Sequence, residues 1–216
     1  MNSYYRDTLY PLQDKVLRAI DELETPFYLT GGTALSRCYF EHRYSDDLDL
    51  FVNKDEHFTS LADKVTGQLS EKFGVEVLLR AEGYYSLKID QTLKMEMVND
   101  VAFRDGKLQN KPIFSRVDSI QNILSNKLSA IISRDEPKDV VDIWVISKNT
   151  FVKWPEVFQA VGSKAVGIFP PDVAKRLTES PVKLLEIIKW TDGKRPTAAQ
   201  FEKDLGEICD AILKPE

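Results

Sequence analysis

The 216-residue chain predicts an α+β fold, a mixed β-sheet flanked by helices and followed by a helical C-terminal part. Three observations lead there. Short aromatic and branched runs bounded by turn residues recur up to about residue 103, the pattern of strands. A helical hydrophobic period takes over from about residue 118. No internal repeat, low-complexity tract or long linker interrupts either half.

Residues 4–24 read as a first helix. Phe27-Tyr28-Leu29, behind Pro26, is a short aromatic and aliphatic run that predicts a buried strand over 27–30. Gly31-Gly32 then breaks it, and a helix resumes over Ala34 to Glu41. Two glycines let the backbone bend sharply and let a ligand approach its amides. The helix behind them starts with unpaired N–H groups and a positive dipole end, which favour an anionic phosphate. Thr33 adds a hydroxyl there. Taken alone, the pair also reads as a tight turn with Thr33 as a helix cap.

The next strand, 47–52, gives the turn its context. Alternation puts Asp47, Asp49 and Phe51 on one face and Leu48, Leu50 and Val52 on the other. Carboxylates two residues apart lie roughly 6.5–7 Å from each other at Cα and converge on hard cations. Magnesium takes a few carboxylate oxygens together with substrate phosphates. Aspartate is a poor strand former, so the pair calls for a role beyond a solvated edge.

A helix near 57–72 leads to strands over 75–80, 84–90 and 93–103, the last two a hairpin across Gln91-Thr92. Alternation sets Glu96 with Lys94 and Val98, opposite Leu93, Met95 and Met97. Two-metal phosphoryl transfer needs a cation at both the attacking and the leaving oxygen, so a third acid is expected. Glu96, in mid-strand, is favoured over Asp90 and Asp100, which sit beside turns.

Ser119 to Ser133 is an amphipathic helix with Ile120, Ile123, Leu124, Leu128, Ile131 and Ile132 as its apolar stripe. Lys127 falls within that stripe, where a lysine is costly unless it has a partner or snorkels outward. A triphosphate or an active-site carboxylate would serve. Pro137 opens the next helix, and Asp139 in its first turn complements the dipole. Asp142 shares a face with Asp139 inside an apolar run, Val140 to Ile146, that should be buried. It needs a partner, Lys127 or Arg134, in a structural ion pair or a catalytic role. Arg43 either meets phosphate or pairs with Asp46. Pro155, Pro170-Pro171 and Pro181 punctuate later helix starts, and Thr197 with Gln200 predicts a capping box before Phe201 to Leu213.

Several of these stretches resemble one family. Tyr28-Leu29-Thr30-Gly31-Gly32-Thr33-Ala34-Leu35, His42-Arg43-Tyr44-Ser45 and Asp46-Asp47-Leu48-Asp49-Leu50-Phe51 are similar to the opening motif of the AbiEii/AbiGii toxins. These are nucleotidyltransferases of the DNA polymerase β-like superfamily. Leu93 to Val101 resembles their second acidic strand, with Glu96 where aspartate is more usual. Asn126-Lys127-Leu128-Ser129-Ala130 with Arg134, and Lys138 to Trp144, resemble their later lysine and aspartate motifs, so the likeness spans about 27 to 146.

The change of pattern puts a boundary near 115, between a core over 1–115, which the resemblance makes a nucleotidyltransferase-type sheet, and a helical region over 116–216 packed on it, as two lobes of one unit or as separable domains. It implies magnesium-dependent (or manganese-dependent) transfer of a nucleoside monophosphate from an NTP such as ATP, GTP or CTP, with pyrophosphate leaving. Asp47 and Asp49 would bind the metals, and Glu96 would complete the site and help deprotonate the acceptor. Lys127 and Asp142 join the catalytic set, and Gly31, Gly32, Thr33, Arg43, Ser45, Lys127 and Asp139 the nucleotide-binding set. Family proteins act as toxins beside a separate antitoxin, and some related toxins modify the 3′ end of tRNA. A tRNA or protein acceptor and a cognate antitoxin are therefore the expected partners. The alternatives are a small-molecule nucleotidyltransferase of the antibiotic-inactivating kind, or a nucleotide- or partner-binding module without turnover.

Composition narrows the rest. Residues 1–118 carry 15 Lys or Arg against 20 Asp or Glu, and 119–216 carry 14 against 14. The whole net charge of −5 thus sits in the half with the acid motif, which argues against nonspecific binding of long duplexes. Lys175, Arg176, Lys183, Lys189, Lys194 and Arg195 offer material for a basic face. No apolar run approaches a membrane span and no signal-peptide core opens the chain. Two cysteines, Cys38 and Cys209, indicate no disulfide framework, so a reducing cytoplasm is expected. There is no Gly-x-x-x-x-Gly-Lys-[Ser/Thr] loop, no Gly-x-Gly-x-x-Gly, no serine elbow and no zinc-ligand neighbourhood around His42 or His57.

Overall fold

A computed structural model describes residues 2–214. The chain divides into two compact units. One holds the chain up to Ala102 together with Lys107–Asp118, the other Phe103–Gly106 with the chain from Ser119 onward.

The first unit is built on a seven-stranded sheet. Its strands are β1 (Tyr28–Thr30), β2 (Leu48–Asn53), β3 (Val75–Ala81), β4 (Tyr84–Ile89), β5 (Leu93–Asp100), β6 (Gln109–Lys111) and β7 (Phe114–Val117), in the order β3-β4-β5-β2-β1-β7-β6. β2 runs parallel to β5 and β1 to β7, while the other neighbours are antiparallel, so the sheet is mixed. Helix α1 (Tyr10–Asp21) continues a π-helical turn, Tyr5–Leu9. Helix α2 (Gly31–Leu35) runs into a second π turn, Ser36–Phe40, and α3 (Phe58–Ser70) joins β2 to β3.

Alternation decides which way the sheet is buried. Leu48, Leu50 and Val52 on β2, Tyr85, Leu87 and Ile89 on β4, and Leu93, Met95 and Met97 on β5 are all buried. Phe58 of α3 meets that face edge-on, its ring centroid 5.8 Å from Tyr85 and 6.1 Å from Phe27. Burying each such side chain contributes roughly 1.5–3 kcal/mol, so a one-residue slip of β2 or β5 would expose a whole row. The opposite face keeps the intermediate positions Asp49, Phe51, Glu96 and Val98.

Sequence and structure differ here in three places. β6 and β7 are not foreseen, because Gln109–Lys111 has no β-branched or aromatic residue and each strand is too short to show a period. β5 stops at Asp100 rather than near 103, since the chain then leaves the sheet for Phe103–Gly106 of the other unit. Helix α2 starts at the glycines rather than at Ala34, with Gly31, in the left-handed region at φ +67°, as the bend between strand and helix.

The second unit is helical, with α4 (Ile120–Ser133), α5 (Pro137–Asn149), α6 (Trp154–Gly162), α7 (Pro170–Thr178), α8 (Leu184–Ile187) and α9 (Ala198–Leu213). Ser119 caps α4 by accepting from Asn122 N at 3.0 Å, and its hydroxyl donates to Asp105 O at 2.6 Å. Thr197 caps α9 in the same way, accepting from Gln200 N at 3.2 Å. Ile123, Leu124, Leu128 and Ile131 of α4 are buried, but Ile132 turns off the stripe and is 39% exposed. Trp144 on α5 packs edge-on against Phe201 of α9 at 5.5 Å and donates to Asp204 Oδ2 at 2.9 Å. Among the described residues no helix is long and apolar enough to cross a membrane.

Candidate active site

β1 delivers the glycines. Thr30, its last residue, is the extended N-cap of α2, and its hydroxyl donates to Asp118 Oδ2 at 2.6 Å. Gly31 follows in the left-handed region with φ +67°, where a side chain is strained. A Cβ built on Gly31 would stand 2.2 Å from Asp49 Oδ2, and one on Gly32 would stand 2.4 Å from Arg43 Nη2 and 3.1 Å from Ser45 Oγ. Both glycines are therefore pressed against the polar groups beside them, in a cradle that any Cβ would fill. Thr33 does not cap the helix; its hydroxyl donates to the Asp47 carbonyl.

The segment leading into β2 is held mainly by its carbonyls. Ser36 Oγ donates to Arg43 O, and Gln13 Nε2 donates to Ser45 O at 3.2 Å and Asp46 O at 3.1 Å. The Tyr10 hydroxyl accepts from Ser45 N at 3.3 Å, and the Tyr5 hydroxyl donates to Asp46 Oδ1 at 2.5 Å. Arg37 donates to Gln13 Oε1 at 3.1 Å, lies 2.7 Å from Asp14 and covers the Tyr10 ring at 4.3 Å. Arg43 is 5% exposed and donates from Nη1 to Tyr44 O at 3.1 Å. Gln13 escaped the sequence reading, although its spacing from Val16, Leu17 and Ile20 puts it on the buried stripe of α1, a recognisable signal.

Pairing then assembles the acids. Asp49 is the register partner of Thr30 on β1 and of Glu96 on β5. Adjacent strands lie about 4.8 Å apart, so the two carboxylates rise side by side from the same face. Asp47 precedes β2 by one residue and adds its charge to the environment of Lys94. Glu96 accepts a hydrogen bond from the Tyr84 hydroxyl at 2.7 Å and an ion pair from Lys94, both at Oε1. Lys94 is consequently held above the ordinary lysine value, chiefly by its hydrogen bond to Glu96. Of the competing acids, Asp90 sits in the hairpin turn with φ +47° and accepts from Gly74 N at 2.8 Å. Asp100 pairs with Asn53, four residues beyond Glu96 and so about 13 Å away along the strand. Neither adjoins Asp49.

These donors suit a hard divalent cation. They are carboxylate oxygens beside the glycine turn, and magnesium is characteristically held by one or two carboxylates plus phosphate oxygens rather than by an all-protein cage. Among the described residues no group of three or more His, Cys, Asp or Glu is placed to hold a metal ion, so the three acids expected from the sequence, Asp47, Asp49 and Glu96, do not form a complete ligand set by themselves.

Lys127, Asp139 and Asp142 come together in the helical unit. Lys127 Nζ lies 2.6 Å from Asp139 Oδ1 and 2.6 Å from Asp142 Oδ2, and Arg134 Nε lies 2.8 Å from Asp139 Oδ2. Lys127 is 6% exposed and both aspartates 0%. Burial pushes the Asp139 carboxyl up, but the Lys127 charge and the hydrogen bonds from Arg134 and Lys127 outweigh it and hold the group below the usual carboxylate range.

A family model described as "Nucleotidyl transferase AbiEii toxin, Type IV TA system" matches residues 15–205. The chain belongs to that family. This AbiEii-family protein is a nucleotidyltransferase enzyme that uses an NTP. No curated protein matches it in sequence. Among solved structures, JHP933 from Helicobacter pylori is similar with a TM-score of 0.62 and 21% identity, over 95% of this chain and 92% of that one. MenT4, a nucleotidyltransferase toxin from Mycobacterium tuberculosis, is similar with a TM-score of 0.67 and 15% identity, over 99% and 86%. The antibiotic-resistance factor ANT(2'')-Ia is similar with a TM-score of 0.52 and 14% identity, over 71% and 89%. At these identities the likeness is one of fold.

Proposed function

We propose that this AbiEii-family enzyme moves a nucleoside monophosphate from an NTP onto an acceptor hydroxyl at the 3′ end of tRNA, as the toxin of a bacterial toxin–antitoxin pair. The observation that carries the reading is the Asp49–Glu96 register pair beside the Gly31-Gly32 cradle.

In this reading the backbone amides at the start of α2, with Arg43 and Ser45, hold the triphosphate by charge and hydrogen bonding. Asp47, Asp49 and Glu96 would hold magnesium or manganese, which when bound supplies charge neutralisation at the α-phosphate and polarises the attacking and leaving oxygens. The acceptor oxygen forms a bond to the α-phosphorus while the bond to the β-phosphate oxygen breaks, and pyrophosphate leaves. Glu96 takes the acceptor proton. Tyr84, by its hydrogen bond to Glu96 Oε1, orients that carboxylate. Lys127, Asp139 and Asp142 serve as a buried ion cluster that fixes α4 to α5, the role their mutual contacts support.

The test is transfer of label from each α-labelled NTP, with magnesium, to total tRNA, run beside Asp49→Ala. Label on tRNA that vanishes in the variant is expected. Tight NTP binding with no labelled tRNA would overturn the tRNA assignment. Growth arrest on expression that Asp49→Ala relieves, and that a neighbouring gene suppresses, would test the toxin and antitoxin roles.

A further inference from the structure

The open face of the sheet has a layout that reaches past the acids. Register aligns Thr30, Asp49, Glu96, Ser86 and Leu79 in one row across β1, β2, β5, β4 and β3. The row two residues to one side is Tyr28, Phe51, Val98, Tyr84 and Ala81. On the other side Lys94 on β5 stands directly opposite Lys88 on β4. Each step between rows is about 6.6–7 Å. The acid row thus lies between an aromatic, apolar row and a pair of lysines.

Two like charges directly opposite on neighbouring strands destabilise a sheet. Lys94 is compensated by Glu96. Lys88 is half-buried, and among the described residues no ion pair is formed by its ammonium. Glu76, across from it on β3, accepts from Gln91 Nε2 at 3.3 Å instead. A lysine left in this position fits an anion that arrives with a ligand. Away from the lysines Tyr84 is half-buried, and Leu79, at the β3 end of the acid row itself, is 51% exposed, together a surface suited to the flat face of a ring.

We propose that Lys88, with Lys94, forms an anion subsite on the acceptor side of Glu96, so that the acceptor is the phosphate-bearing end of a single RNA strand. Its terminal base would lie toward Tyr84 and Leu79, its reacting hydroxyl at Glu96, and the phosphate on its 5′ side at Lys88. This rests on the nucleotidyl-transfer reading of the same site and names what the acceptor must carry. A polycationic acceptor, such as an aminoglycoside, would be repelled by the same lysines.

The experiment measures binding of a 5′-fluorescein single-stranded oligoribonucleotide by anisotropy, without NTP, for wild type, Lys88→Ala and Lys88→Arg. In parallel, NTP affinity and the RNA dependence of transfer are measured. Lys88→Ala should weaken RNA binding and raise the RNA KM about tenfold, and lower the salt slope of binding by about 0.7, one single-strand phosphate contact. Lys88→Arg should restore both, and NTP affinity should not move. Unchanged RNA binding and KM in Lys88→Ala overturn the subsite while leaving the transfer reaction standing. Wild-type binding of RNA through Lys88 with no labelled RNA would uphold the subsite and overturn the reaction. Equal labelling by both proteins of a protein or an aminoglycoside, with RNA ignored, overturns the subsite.

Discussion

Asp49 Oδ2 lies in the space that a Cβ on Gly31 would occupy, 2.2 Å from its ideal position, while Asp49 pairs in register with Glu96. The glycine turn and the acids are thereby one object. The glycine that frees the backbone also makes room for the carboxylate, and the strand that carries the carboxylate selects its partner 47 residues further on. Any disturbance of β2 moves both.

Asp49→Ala should reduce transfer by on the order of 10²–10³-fold or more, the cost of removing one electrostatic anchor of a transition state. Its melting transition should stay cooperative, so that the lost transfer reports on the chemistry and not on unfolding. Label transfer and a melting curve on the same preparation check both. Activity within threefold of wild type would remove Asp49 from the chemistry.

Gly31→Ala tests the cradle. Gly31 and Gly193 both have positive φ, +67° and +74°, but only Gly31 would bring a Cβ against another group. The backbone strain alone costs roughly 1–2 kcal/mol at either position. Gly31→Ala should therefore lose transfer almost completely, and Gly193→Ala should lose only stability. Urea melts and transfer rates of the pair separate strain from displacement of Asp49.

Gln13→Leu keeps the side-chain volume but removes both donors to Ser45 O and Asp46 O. Leaving buried carbonyls unpaired costs about 1–3 kcal/mol. We expect a raised KM for the NTP with a smaller change in kcat, because the segment carrying Arg43 and Ser45 loosens. An unchanged KM would confine Gln13 to stability.

Lys127→Met would strand Asp139 and Asp142 without their shared ammonium. Removing one partner of a buried ion cluster costs about 3–5 kcal/mol, so the variant should unfold at markedly lower urea. A triple change to apolar residues of similar volume should recover much of that loss. Failure of Lys127→Met to destabilise would show the cluster to be solvated.

The pH dependence follows from Asp139, whose folded carboxyl sits below its ordinary value of about 3.9. The unfolded chain binds that proton first as pH falls, so this contribution is complete above about pH 4 and disappears as pH drops through the lower folded value. Wild type should lose stability across that acid window more steeply than Asp139→Asn. Parallel slopes in urea melts from pH 5 to pH 2 would contradict the linkage.

Most of the α+β fold was legible because strand and helix periods are local. The alternation through Leu48, Leu50 and Val52, and through Leu93, Met95 and Met97, marks two strands and their buried faces without any knowledge of their partners. β6 and β7 stayed hidden because three or four residues carry no period and acquire strand geometry only by pairing. Thr33 looked like a cap, yet its hydroxyl serves the Asp47 carbonyl, a group fourteen residues away that no local rule brings near.

By itself the sequence determined the strand that carries Asp49, the glycines at the start of a helix, and a lysine at position 127 within an apolar stripe, while Asp47, expected on the same strand, lies one residue before it. The identity of each partner was decided in three dimensions: Glu96 beside Asp49 rather than Asp90 or Asp100, Gln13 beneath the Ser45 and Asp46 carbonyls, and both Asp139 and Asp142 on Lys127. The physical reason is range. Backbone preference and hydrophobic period act over a few residues, whereas register and ion pairing depend on which distant segments bury their apolar faces together.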